Sequence, residues 1–129
     1  MSSRRSTRKE QTGGRWVTRP RWRVARDGVI ALGPGKADLL EAIADRGSIS
    51  SASAALGMSY RRAWTLVATM NESFRRPLVA TSARRRAGAA LTDTGRQVLA
   101  LYRRIEARSL AAARRDLLNL RRLLNGARG

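Results

Sequence analysis

The run SYRRAWT places Arg61 and Arg62 directly after Ser59 and Tyr60, with Thr65 three residues on. Three more arginines, Arg84, Arg85 and Arg86, stand together further along the chain. A guanidinium pairs bidentately with guanine O6 and N7, or holds a phosphate. Cations in the first turn of a helix oppose its dipole, so Arg61 and Arg62 do not serve helix stability. A negative partner docking at that helix start gives them a purpose. Ser59 reads first as the helix cap, and its N–H and those after it are also able to bind phosphate. Tyr60 and Thr65 are candidate groove contacts. Arg84, Arg85 and Arg86 read as phosphate or minor-groove contacts.

The whole composition leans the same way. The 129 residues carry 27 basic side chains against 9 acidic, a net charge of +18. Such a field favours a polyanion, nucleic acid ahead of an anionic membrane surface. All the basic residues except Lys9 and Lys36 are arginine. The chain has no cysteine and no histidine, which removes disulfides, thiolate chemistry and the usual general base. The nine carboxylates are scattered, with no paired acid/base motif, so an enzyme is not expected; neither are a cofactor, a metal site or a catalytic residue. No apolar run is long enough for a transmembrane helix, and the basic N-terminus lacks the apolar stretch of a secretory signal. The expected location is cytoplasmic, with no membrane partner.

Elements that position these residues are readable from periodicity and punctuation. Residues 1–20 are polar and basic and read as a disordered arm. Over 21–32, Asp27-Gly28 lies between alternating runs and predicts a two-stranded ribbon. Pro34 opens a helix over 34–46 with Leu39, Leu40 and Ile43 as its apolar stripe, and Gly47 stops it. Ser48 and Ser50 both suit the cap of the next helix, and Ser50 is favoured, giving a helix over 50–56 that ends at Gly57. Ser59 caps a helix over 60–74 with Ala63, Leu66, Val67, Met70 and Phe74 on its core side. Trp64, beside that stripe, is ambiguous and reads as core ahead of a base contact, and Asn71 near the helix end is structural. Residues 78–92 read as strand, basic loop and strand. From Thr92 the chain reads as helix to about residue 125, which at 1.5 Å per residue runs to about 50 Å and outgrows a small domain. Leu110, Ala113, Leu117, Leu120 and Leu124 follow the 3-4-3-4 spacing of a coiled-coil seam, and a partner chain is the simplest cover. The apolar register breaks between Ile105 and Leu110, so the first part is expected to pack on its own domain and the second on the partner. The arginines of this helix, Arg103 among them, read mostly as a solvated face.

A short helix, a glycine turn and a second helix form the helix-turn-helix pattern. Ala52, Ser53, Ala54 and Ala55 are small enough to let the two helices cross closely, and Leu56, Met58, Ala63 and Leu66 plug the space between them. The strand, basic loop and strand that follow complete the order of a winged helix-turn-helix. The run GPGKADLLEAIADRGSISSASAALGMSYRRAWTLVATMN, followed by PLV and LTDTG, resembles the N-terminal DNA-binding domain of the molybdate-responsive transcriptional regulator (ModE) family, itself similar to that of LysR-type regulators. The resemblance covers about residues 21–115. It implies a dimeric winged-helix binder of double-stranded DNA, with the ribbon and the long helix contributing to the dimer. Longer members of that family carry molybdate-binding domains, for which this sequence has no counterpart, so direct molybdate binding is not expected. Ser53 stands where alanine is usual, and the wing is rich in arginine rather than glycine.

The sequence therefore predicts a mainly α protein with small β content (α+β). A basic arm (1–20) precedes a winged helix-turn-helix domain (21–92) and a long dimerisation helix (93–129). The expected role is a homodimeric, sequence-specific transcriptional regulator on a two-fold-related operator. Molybdenum-related gene control is the field the resemblance points to. A weakly specific architectural DNA binder is the alternative, and a protein–protein adaptor is a third.

Overall fold

A computed structural model describes residues 18–82 and 88–126. Nearly all of the expected basic arm, and all of Arg84, Arg85 and Arg86, lie outside the described residues. The elements run β1 (Val24–Arg26), β2 (Val29–Leu32), α1 (Pro34–Arg46), α2 (Ile49–Leu56), α3 (Tyr60–Ser73), β3 (Val79–Thr81), β4 (Ala89–Leu91), α4 (Asp93–Ala112) and α5 (Arg114–Leu123). This is an α+β winged helix-turn-helix. Among the described residues no helix is long and apolar enough to cross a membrane.

β1 and β2 form the antiparallel ribbon that Asp-Gly demands, with positive φ at Asp27 (52°) and Gly28 (80°). Its register shifts between Val24 and Ala25, a bulge that sets Leu32 against Val24 and Ile30 against Ala25. Residues 21–30 are exposed, and the ribbon enters the core only at Ala31 and Leu32.

α1 buries Leu39, Leu40 and Ile43 and ends at left-handed Gly47, whose N–H reaches the Ile43 carbonyl at 2.8 Å. The next helix begins one place earlier than expected. Ser48 caps it, its Oγ accepting from the Ser51 N–H at 3.0 Å. Ser50 sits inside the first turn instead, and its carbonyl accepts from the Ser53 hydroxyl. The earlier start brings Ile49 into the helix and buries it with Ala52 and Ser53. Both serines satisfy the local rule for a cap; burial of Ile49 separates them. Gly57 takes the left-handed conformation and α3 follows, burying Ala63, Val67 and Met70. The helix stops at Ser73, and Phe74, which the periodicity placed on it, is the extended cap residue.

The three helices share one core with Leu32, Leu78, Val79, Ala89, Leu91 and Tyr102. A fully buried Leu, Ile or Met contributes about 1.5–3 kcal/mol relative to exposure. Strands β3 and β4 pair Val79 with Leu91, Ala80 with Ala90 and Thr81 with Ala89, forming the base of the wing. Asn71 ties this base to α3. Its Oδ1 accepts from the backbone N–H groups of Leu78 (2.9 Å) and Val79 (3.1 Å), and its Nδ2 donates to the Val79 carbonyl. Asn71→Ala leaves these backbone groups without their partner. It should lower the unfolding free energy in a denaturant titration by about 2 kcal/mol or more.

Thr92 caps α4 as expected, accepting from the Gly95 N–H at 2.9 Å and donating to the Pro77 carbonyl at 2.7 Å. The helix does not run unbroken to residue 125. It ends at Ala112; Ala113 (φ −90°, ψ 1°) is the joint, and α5 begins at Arg114. No proline or glycine stands at the joint. The physical contrast is in packing: α4 is held on the domain through Val98, Leu99 and Tyr102, whereas α5 buries no residue. The backbone break falls a few residues beyond the change of apolar register between Ile105 and Leu110. Leu101 and Ile105, expected to pack on the domain, are exposed.

Candidate nucleic-acid interface

Helix α3 owes its orientation to its buried stripe. Ala63, Val67 and Met70 face the core, so the residues opposite them face outward. At 3.6 residues per turn that outward line is Arg61, Thr65, Ala68 and Glu72. Arg61, Thr65 and Glu72 are exposed and Ala68 is half-buried. Tyr60 and Trp64 flank the line on one side, Arg62 and Thr69 on the other. The two adjacent arginines therefore differ: Arg61 lies on the centre of the outward face and Arg62 at its edge.

The start of α3 is closed by Ser59, whose Oγ accepts from the Arg62 N–H at 3.1 Å. The first-turn N–H groups of Tyr60 and Arg61 have no helical carbonyl to donate to and point out of the helix end. Neither arginine has a carboxylate in salt-bridge range among the described residues; the described ion pairs fall on Arg19, Arg26, Arg96 and Arg103. Ser59, Tyr60, Arg61, Arg62 and Thr65 thus form one exposed, uncompensated basic surface at a helix N-terminus, a fit for phosphates and base edges. Arg84, Arg85 and Arg86 lie outside the described residues. The strands that lead to them are fixed to α3 by Asn71 and to α1 by the Ala89 N–H on the Gly47 carbonyl at 2.9 Å.

Two residues depart from their expected roles. Trp64 is 52% exposed and is not a core residue. It stands next to the buried stripe in the helical projection, but outside the core cluster. Arg103 is not on a solvated face. Its guanidinium bridges Asp38 (3.0 Å) and Glu41 (2.8 Å) of α1 and Glu106 (3.0 Å) of its own helix. Partial burial works against this charge, but the hydrogen bonds it donates to Asp38, Glu41 and Glu106 outweigh it and hold the guanidinium above its ordinary pKa. The signal was nonlocal, because the α1 carboxylates are more than sixty residues away in the chain. Beside it the buried Tyr102 hydroxyl donates to the Trp22 carbonyl at 2.7 Å, and the Trp22 indole donates to Ser109. These contacts fasten α4 and the segment ahead of the ribbon to the domain.

The expected seam is split by the joint. Leu110 ends up exposed on α4, Ala113 is the joint itself, Leu117 and Leu120 lie on α5, and Leu124 is its cap residue. Leu117 is half-buried; Leu110, Leu120 and Leu124 are exposed, as are Leu118 and Leu123. Leu110, Ala113 and Leu117 also line an open groove of about 380 Å³ against Pro20 and Trp22. Among the described residues no group of His, Cys, Asp or Glu is arranged to hold a metal ion.

Comparison with known proteins places this geometry. Residues 36–96 match the model of the bacterial regulatory helix-turn-helix protein, lysR family. That span contains α1 from Lys36, both helices of the turn and the wing; it excludes the ribbon and the leucine seam. The chain is 42% identical over 78 residues to the molybdenum transport protein ModE of Azotobacter vinelandii, covering 59% of this chain and 29% of that protein. It is 37% identical over 83 residues to the molybdenum-pterin-binding protein MopA of Rhodobacter capsulatus, covering 63% and 31%. To MopB of the same organism it is 40% identical over 78 residues, covering 59% and 29%. The matched part spans less than a third of each of these relatives.

Proposed function

We propose that the chain, whose residues 36–96 match the bacterial regulatory helix-turn-helix protein, lysR family, is a sequence-specific, double-stranded DNA-binding transcriptional regulator. It acts as a homodimer on a two-fold-related operator. The observation that carries this reading is the outward face of α3, where Arg61 and Thr65 stand exposed near the capped helix start and Arg61 has no carboxylate partner among the described residues. In a helix-turn-helix the N-terminal residues of the second helix reach base edges in the major groove. Arg61 and Thr65 then supply base readout, and Ser59, Tyr60 and Arg62 border the groove. Arg84, Arg85 and Arg86 on the wing supply phosphate contacts.

The proposed dimer draws on Leu110, Ala113, Leu117, Leu120 and Leu124. An amphipathic α5 with exposed leucines and no buried residue supports it. Two reading helices related by a two-fold axis address half-sites about 34–36 Å apart or a multiple of that. The names of the relatives mention molybdenum transport and molybdenum-pterin binding; for this chain, molybdenum-related gene control is part of the proposal. Genome-wide binding with and without molybdate tests that part.

The net charge of +18 favours a second reading, a weakly specific architectural DNA binder. Footprinting separates the two: a discrete two-fold site supports the regulator and uniform coating supports the architectural protein. The two arginines test the assignment of the face. Arg61→Ala should cost about 1–3 kcal/mol on the preferred site and relax its sequence preference. Arg62→Ala should weaken all duplexes to a similar degree and lower the salt slope. Binding competitions over a base-substitution series read out both, and a reversal of the two outcomes would sink the division of labour.

A further inference from the structure

One flank of α3 holds a large, half-exposed aromatic group that stands outside the buried core cluster. Trp64 is 52% and Tyr60 54% exposed, one helical turn apart on the same flank of α3. Among the described residues the Trp64 indole N–H has no hydrogen-bond partner, while that of Trp22 is bonded to Ser109. The core side of α3 is already filled by Ala63, Val67 and Met70. On α3 Trp64 follows Arg61 by three residues and precedes Thr65, so it borders the surface assigned above to base readout. An α-helix lying in the major groove with that surface inward brings this flank against the base edges too.

Those edges display amino groups, carbonyls and ring nitrogens, and one apolar group, the C5-methyl of thymine. The indole meets them in two ways: its apolar ring face covers the thymine methyl, and its N–H, still without a partner among the described residues, donates to a neighbouring acceptor such as thymine O4 or purine N7. We propose that Trp64, with Tyr60 beside it, is a specificity residue that reads a thymine methyl group in each half-site. This rests on the DNA-reading role proposed above. The arginine reads a guanine or a phosphate by hydrogen bonding; the tryptophan reads an adjacent pyrimidine by its methyl, which uracil lacks and 5-methylcytosine shares.

The test needs no variant to begin. Once footprinting has defined a protected site, each thymine in it is replaced in turn by deoxyuridine and affinity for the wild-type chain is measured. One position per half-site should lose about 3–10-fold, and 5-methylcytosine at that position should bind better than cytosine. The same deoxyuridine should make no difference to Trp64→Ala, whereas Trp64→Phe should retain part of the discrimination. Circular dichroism should show both variants folded, since the ring is half in solvent. A chain that protects a discrete site yet ignores every deoxyuridine overturns the Trp64 assignment alone. So does a Trp64→Ala variant weakened equally on thymine and deoxyuridine duplexes. A wild-type chain that protects no discrete site overturns this inference and the operator reading together.

Discussion

Replacing Gly95 with alanine is expected to lower the thermal midpoint by more than about 12 °C and to abolish tight DNA binding at 37 °C. A Cβ built on Gly95 falls 2.1 Å from the Leu78 carbonyl oxygen and 2.9 Å from its carbon. Neither atom belongs to a flexible side chain. The Leu78 carbonyl is itself held by the Thr92 N–H at 2.9 Å, with the Thr92 hydroxyl 3.3 Å away. Relief therefore means separating α4 from the strand that leads into the wing, and losing the Thr92 bonds as it happens. Overpacking a core costs about 1–3 kcal/mol when side chains can yield, and a backbone clash belongs at or beyond the top of that range. For a domain of this size each kcal/mol moves the midpoint by about 4–8 °C. Gly35→Ala is the control. No heavy atom lies within 4 Å of a Cβ there, and the residue sits in the first turn of α1. That change should be neutral or stabilising by about 0.5–1 kcal/mol. A thermal melt of the two variants side by side reads both signs, and a Gly95→Ala midpoint close to wild type would refute the close-contact account.

The double substitution Leu117→Asp with Leu120→Asp is the second large effect. No residue of α5 is buried, so the fold of the domain should be unaffected and the circular dichroism at about 25 °C nearly unchanged, with the thermal midpoint losing only what dimerisation adds. Two carboxylates in an apolar seam cannot be buried against a second copy without a large desolvation penalty. Sedimentation should show wild type as a dimer and the variant as a monomer at micromolar concentration. Affinity for a duplex with two half-sites should drop about 10²–10⁴-fold, because the second contact is no longer intramolecular. Affinity for a single half-site should stay within a factor of two or so of wild type. If the variant remained dimeric, the seam would lie elsewhere, with the exposed ribbon residues Val24, Val29 and Ile30 as the next surface to test.

Features set by short-range chemistry were legible in the sequence. Asp27-Gly28 specified the ribbon turn because few residue pairs tolerate positive φ at both places. Gly57 followed by Ser59 marked the turn between α2 and α3 because one residue ends a helix and the other starts one. Thr92 was recognised as a cap, yet the reason for Gly95 three residues later, the approach of Leu78, became visible only in three dimensions. Ser48 and Ser50 were indistinguishable locally, and burial of Ile49 decided between them. Trp64 was misplaced because helical spacing orders residues around an axis without saying how wide the buried arc is. Arg103 was misread for a different cause: its partners Asp38 and Glu41 arrive from another helix, and no local pattern announces them. The joint at Ala113 left only a shift in apolar register, with no helix-breaking residue to fix its place. Of the recognition surface, the position of the arginine pair at a helix start was readable; the difference between Arg61 at the centre and Arg62 at the edge needed the buried stripe to be known.

The arrangement around Arg103 also governs how a salt titration of DNA binding is to be interpreted. In a chain with so much positive charge, added electrolyte acts on two things at once, the grip on phosphate and the protein's own ion pairs. Exposed pairs and phosphate contacts are both screened within a Debye length of about 10 Å at 0.1 M. The Arg103 side chain is 30% exposed, and its α1 partners Asp38 and Glu41 are 31% and 53% exposed, so the pairs across the junction of α1 and α4 are only partly shielded from the bathing ions. Raising the salt therefore acts on the junction as well as on counterion-driven affinity. The slope of log affinity against log salt, taken over a range where the circular dichroism is constant, becomes a direct count of the phosphates the protein neutralises.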